Sequence, residues 1–133
     1  MGSTRDDGLA LLGEMIPGLL AADSGQLKQG DGFASELGEL SLDAVFGRLW
    51  VRPGLDRRSR SLVTLGILIA LRAEDELRIH FGIALRNGLT REELAEVIYH
   101  ATAYAGFPAA ATASRIGGEV LDGGEPGPRD GAA

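Results

Sequence analysis

The 133-residue sequence contains no cysteine. That absence excludes disulfides, thiolate metal sites, cysteine nucleophiles and CxxC redox chemistry together. Histidine is nearly as scarce. Only His80 and His100 occur, and neither lies in an HExxH or similar cluster, so a transition metal would have to take its remaining ligands from carboxylates. No metal or other cofactor is expected. Lysine is reduced to Lys28 beside twelve arginines, a bias that with 20 glycines resembles the codon usage of a GC-rich bacterium. The formal net charge of -6 and pI of about 4.8 leave no basic footprint for phosphates, which argues against a nucleic-acid partner. The longest apolar run, Leu62–Leu71, is far shorter than the roughly 20 residues that span a bilayer. The N-terminus has no charged-then-apolar signal pattern. A soluble, cytoplasmic protein without a membrane partner is expected. No glycine-rich phosphate loop is found, because the glycines fall at helix ends or within helices.

What is present is apolar residue at helical spacing. With 44% hydrophobic residues the chain can bury a core, and its length suits one domain over residues 1–122. Residues 123–133, rich in Gly and Pro, predict a disordered tail. The spacing of Leu9, Leu12, Met15, Ile16, Leu19 and Leu20 predicts a first helix from Asp6 or Asp7 to Ala22, kinked at Pro17, then a loop over Ser24–Asp31. Phe33, Leu37, Leu40, Ala44 and Val45 predict a second over Gly32–Trp50, with an interruption near Ser41. It stops at Arg52-Pro53-Gly54. Asp56 is placed to cap a third, Arg57–Leu71, which is apolar nearly all round and so belongs in the centre of a bundle or at a subunit interface. A fourth over Glu74–Asn87 ends at Gly88. The fifth opens on the capping box Thr90-Arg91-Glu92-Glu93 and ends at Gly106. The sixth covers Pro108–Val120, with proline in its first turn. Six helices on short turns give an all-α antiparallel array.

Several segments, in order, resemble the carboxymuconolactone decarboxylase family: Trp50-Val51-Arg52-Pro53-Gly54-Leu55-Asp56 with Arg60-Ser61-Leu62, Glu76-Leu77-Arg78-Ile79-His80, Ala84–Thr90 with Glu92-Glu93, and Tyr104–Ala110. The likeness is strongest over residues 46–120. It implies an AhpD-like all-α fold in a homo-oligomer, a trimer or hexamer. It also implies one of two chemistries. Members with a CxxC pair before a histidine are peroxidases or disulfide reductases, whereas the cysteine-free branch decarboxylates 4-carboxymuconolactone in protocatechuate breakdown, an aromatic catabolism. His80 matches the histidine of the peroxidases, but Ala73 and Glu76 stand at the thiol positions, so thiol peroxidase chemistry is excluded. Gly8–Asp31 does not match the basic, glycine-containing segment of the decarboxylases, which leaves a related lactone or acid of a specialised biosynthetic pathway open as substrate.

Loss of CO2 from a carboxylated butenolide leaves an electron pair that the lactone carbonyl accepts through the conjugated ring. The enzyme must then bind an anion, stabilise a dienolate and return a proton. Under the resemblance His80 is the proton donor; the residues alone favour a core histidine satisfied by a backbone carbonyl. Glu96, His100 and Tyr104, spaced i, i+4, i+8, form a polar line in which His100 is a second proton-transfer group positioned by Tyr104, or a structural ridge. Arg52 and Arg60 are the candidate carboxylate binders, with ion pairing to Glu76 or Glu93 as the alternative for Arg60. Arg57 and Arg58 read as solvated. Ser61 offers a hydroxyl to substrate, and Trp50 either a platform or a core aromatic. Glu76 either orients His80 or is a surface i, i+4 partner, and Glu74-Asp75-Glu76 complement a helix N-terminus. The expected activity is a cofactor-free carbon-carbon lyase acting on a small anionic lactone or acid. An isomerase or cyclase on the same scaffold, or a non-catalytic oligomeric binding protein, are the alternatives.

Overall fold

The computed structural model describes residues 3–21, 25, 26, 28 and 32–123. The elements of the described residues are all helical, as the lack of period-two alternation implied. Two compact units divide the chain, Met1–Arg57 and Arg58–Ala133.

In the first unit α1 spans Thr4–Met15. It starts earlier than its apolar stripe suggested because Ser3 caps it: the Ser3 hydroxyl accepts from the Asp6 N–H, and the Asp6 carboxylate accepts from the Ser3 N–H. Pro17 ends this helix and does not kink it. The residue before proline is driven out of the α region, and Ile16 lies at φ -139°, ψ 70°, followed by a 3-10 turn at Pro17–Leu19. The predicted loop at Ser24–Asp31 falls largely outside the described residues. The expected second helix is broken into a short α2, Leu37–Ser41, and a wide π turn, Leu42–Phe46. Its predicted apolar stripe is also on the wrong side, since Phe33, Leu37 and Leu40 are exposed while Leu42 is buried. The π turn adds one residue per turn and so rotates the following side chains to a new face. Leu42 then joins Leu9 and Leu12 in a small core, with Ile16, Leu20 and Phe46 packed against it.

Two glycines permit α1 to cross the π turn. A Cβ on Gly8 would lie 2.7 Å from the Leu42 carbonyl oxygen, and one on Gly47 would collide with that of Thr4. Backbone atoms cannot move aside as a side-chain end does. Gly8→Ala is therefore expected to destabilise the chain by about 1–3 kcal/mol, the usual cost of overpacking, against a gain of at most about 1 kcal/mol in helix propensity. A thermal melt that rises for Gly8→Ala would contradict this crossing. Across the same unit Arg5 grips Glu39 through both nitrogens of its fork, Nε to Oε2 at 3.1 Å and Nη2 to Oε1 at 3.0 Å, which holds the Glu39 carboxyl below its ordinary range.

The second unit contains α3 (Arg57–Leu71, its first residue at the junction), α4 (Glu74–Arg86), α5 (Arg91–Ala105) and α6 (Phe107–Leu121). These bounds lie within a residue or two of the predicted ones. Gly88 takes φ 97° after α4, and the Thr90–Glu93 capping box forms, with both bonds at 3.1 Å. Helix α6 is the central element, packing on α4 and α5. Its Ala109, Ala113 and Ile116 share a core with Leu65, Ile69, Leu77, Phe81 and Leu94, and Gly117 admits the Phe81 ring. Ion pairs brace the surface: Arg78 and Arg115 to Glu119, Arg115 to Glu74, Arg91 to Asp122. Exposed pairs of this kind are each worth at most about 1 kcal/mol. Of α3, only one face is buried; Val63, Ile67 and Leu71 are exposed. Residues 124–133, most of the expected tail, lie outside the described residues.

Candidate functional site

His80 lies in the middle of α4, one turn after Leu77, and both side chains are buried. The imidazole is 7% exposed and its Nδ1 is closed off from solvent. Burial favours the neutral ring, and it lowers the His80 pKa from 6.5 to about 4. Glu76, four residues earlier on the same helix, brings its Oε2 to 3.8 Å from His80 Nε2. The predicted i, i+4 pair is thus formed, with its carboxylate at the surface and its imidazole inside. Desolvated titratable groups beside a charge recur both at proton-transfer sites and in structural ion-pair networks.

A second group lines a groove of about 760 Å³ between α3 and α5. Leu62, Gly66 and Ala70 make the α3 wall; Glu93, Glu96, Val97, His100, Ala101 and Tyr104 stand on α5. The His100 and Tyr104 rings meet with centroids 5.2 Å apart at 34°, so the polar line read from the spacing exists as one edge of an apolar groove. The size is within the range of small-molecule sites. No Lys or Arg stands among these lining residues, and Glu93 already accepts from the Thr90 N–H and pairs with Arg58. Arg57 and Arg58 are exposed, as expected, and each is also ion-paired, Arg57 with Glu14 and Arg58 with Glu93.

The other candidates are dispersed. Ser61 is 1% exposed, and its hydroxyl accepts a 2.9 Å bond from Asn87 Nδ2, which ties the start of α3 to the end of α4. Truncation would leave the amide without its acceptor. Ser61→Ala should therefore lower stability by about 1–3 kcal/mol while turnover per folded molecule stays unchanged; a loss of turnover without a loss of stability would restore Ser61 as a substrate contact. Trp50 is buried in the first unit, stacked on Phe46 at 6.3 Å. Arg52 is exposed in that unit, and Arg60 is part-exposed in the second, its carbonyl accepting from the Thr64 hydroxyl. Neither arginine is among the residues that line the groove. The small residues Gly66 and Ala70, which make the groove possible, were passed over in the sequence. Their i, i+4 spacing within an apolar helix was the available signal.

These features define a cysteine-free protein, all-helical among the described residues, with a buried imidazole beside a surface carboxylate and a separate His–Tyr groove. The model of the carboxymuconolactone decarboxylase family matches residues 35–118, and the chain belongs to that family. The chain is 49% identical over 77 residues to 4-carboxymuconolactone decarboxylase of Acinetobacter baylyi, covering 58% of each sequence. It is 46% identical over 70 residues to nitrosuccinic acid decarboxylase of Metarhizium robertsii, 53% of this chain and 49% of that one. An uncharacterised 15.0 kDa protein of Paracoccus denitrificans is 36% identical over 81 residues, 59% and 60% of the two. The matches thus span only about half to three fifths of these relatives. The family match begins earlier than the resemblance read from the motifs and takes in α2. No described helix is long and apolar enough to cross a membrane.

Proposed function

We propose that this chain is a decarboxylase of a small carboxylated acid, with 4-carboxymuconolactone as its first candidate substrate. The observation that carries the reading is His80: a buried imidazole, 3.8 Å from a carboxylate, inside the segment that matches the family. The names of two relatives support the reaction class. Their substrates share one feature. In each, the carbon that loses CO2 can pass the electron pair into an acceptor the substrate itself carries, a conjugated lactone carbonyl or a nitro group. The product anion is a dienolate or a nitronate, and it needs only a proton. The protein therefore supplies binding and proton delivery. His80 is the proton donor, with Glu76 orienting its ring. Arg60, in the same unit, is preferred over Arg52 as the carboxylate partner. His100 and Tyr104 serve in support, at the groove.

The test is direct. Purified protein is mixed with 4-carboxymuconolactone and, separately, with nitrosuccinate, and CO2 release is followed. Release from either supports the reading and names the acceptor type. No release from both, by folded protein, overturns it.

A further inference from the structure

The chain has a single asparagine, and glycine follows it: Asn87-Gly88. Before glycine the next backbone nitrogen carries no side chain on its own residue to hinder it, so this dipeptide is the one most open to attack of that nitrogen on the asparagine amide. The space beside Gly88 is empty as well, since a Cβ there would meet nothing within 4 Å. The reaction needs only water. The Gly88 nitrogen bonds to Asn87 Cγ and gives up its proton, the amide nitrogen leaves as ammonia, and water reopens the five-membered imide at one carbonyl or the other, to aspartate or to isoaspartate.

The fold opposes the first step at each atom that takes part. Asn87 Nδ2 donates to Ser61 Oγ at 2.9 Å, and Ser61 is 1% exposed, so the leaving amide is anchored to a buried point on α3. The Gly88 N–H donates to the Leu85 carbonyl at 3.1 Å, which turns the attacking nitrogen away. Closing the ring also requires rotation about ψ of Asn87, which stands at 6°, and the 3.0 Å bond from the Leu89 N–H to the Ala84 carbonyl holds the turn against it. We propose that Asn87 is a self-modification site latched by Ser61: inert while α3 and α4 are tied there, and converted in molecules whose α4 end opens.

Conversion is one-way. Isoaspartate carries the main chain through the former side chain, with one extra carbon before the Gly88 nitrogen, and leaves a carboxylate where the amide stood. The Ser61 hydroxyl then loses its amide donor, and the Gly88 and Leu89 bonds that close the end of α4 lose their register. A molecule that has opened long enough to react therefore cannot re-form the same latch. This inference does not depend on the decarboxylase reading.

Trypsin cuts after Arg86 and Arg91 and so isolates the site as the peptide Asn87–Arg91, whose asparagine, aspartate and isoaspartate forms separate by chromatography and mass. Protein aged at mildly alkaline pH, folded or in denaturing urea, gives the two limiting rates. The folded parent should convert about tenfold more slowly than the chain in urea, or more slowly still. Folded Ser61→Ala should convert faster than the folded parent by about 5- to 100-fold, the rise in opening that loss of a buried hydrogen-bond partner implies. Gly8→Ala, weakened in the other unit, should keep the parent's rate. A parent that reacts as fast folded as in urea overturns the proposal. So does a Ser61→Ala protein that ages no faster than the parent, or a Gly8→Ala protein that ages as fast as Ser61→Ala. Should Ser61→Ala fail to fold, the comparison of the folded parent with the chain in urea decides alone.

Discussion

Replacing His80 with glutamine lowers kcat for CO2 release by about 10²- to 10⁴-fold, the range that a positioned proton-transfer group contributes. Glutamine keeps a polar group of similar size on α4 but cannot change charge, so the loss reports on the proton and not on packing. The buried ring adds a condition. Its pKa of about 4 leaves it neutral at pH 7, whereas a donor must be protonated when the dienolate forms. An anion bound beside a desolvated imidazole favours the charged ring, so the proton must arrive with the substrate. Two results follow from that. Binding of an unreactive diacid takes up a proton, seen by calorimetry in buffers of different ionisation enthalpy, and the uptake vanishes in His80→Gln. The value of kcat/KM falls about tenfold per pH unit above pH ~4, because it reports the free enzyme. A profile flat from pH 5 to 8 and falling only below about 4 would mean that neutral His80 is the working form, a base or a hydrogen-bond donor, and would sink the proton-donor role.

How much of this was legible in the sequence differs between the two units, for a physical reason. The second unit is built from long helices with strong local punctuation, the Thr90–Glu93 box and the left-handed Gly88, so local rules and tertiary packing agree. The first unit is short, and packing overrides periodicity there. Phe33, Leu37 and Leu40 have helical spacing yet are exposed, while the π turn that follows them buries Leu42 against Leu9 and Leu12 and the Gly8–Gly47 crossing brings the two backbones close. The site divides in the same way. His80 with Glu76, and His100 with Tyr104, lie one helical turn apart and were visible as i, i+4 pairs. Ser61 with Asn87, 26 residues apart, and the groove opened by Gly66 and Ala70 depend on how helices are set against one another, which spacing along one helix does not encode.

The same buried imidazole makes stability depend on pH, in a window that separates it from the carboxylates. In the unfolded chain His80 takes up a proton below about 6.5, and in the folded chain only below about 4. Over that interval the unfolded state binds more protons, so the stability present above pH 6.5 is lost as the pH falls toward 4, with no further loss from this group below it. The difference between the two values corresponds to about 3 kcal/mol, a large share of the 5–15 kcal/mol typical of a domain. Asp6, Glu39 and Glu119 are held below their ordinary values by Ser3, Arg5 and Arg78. They also lose stability as the pH falls, but at and below the ordinary carboxylate range, and they do so equally in a His80 variant. Denaturant unfolding of the parent and of His80→Gln at pH 7.5 and at pH 4.5 isolates the histidine. The parent should lose about 2–3 kcal/mol more than the variant over that span. Parallel losses would mean that the ring takes up its proton as easily in the folded chain as in the unfolded one, through an opening of α4 or a counter-charge closer than Glu76.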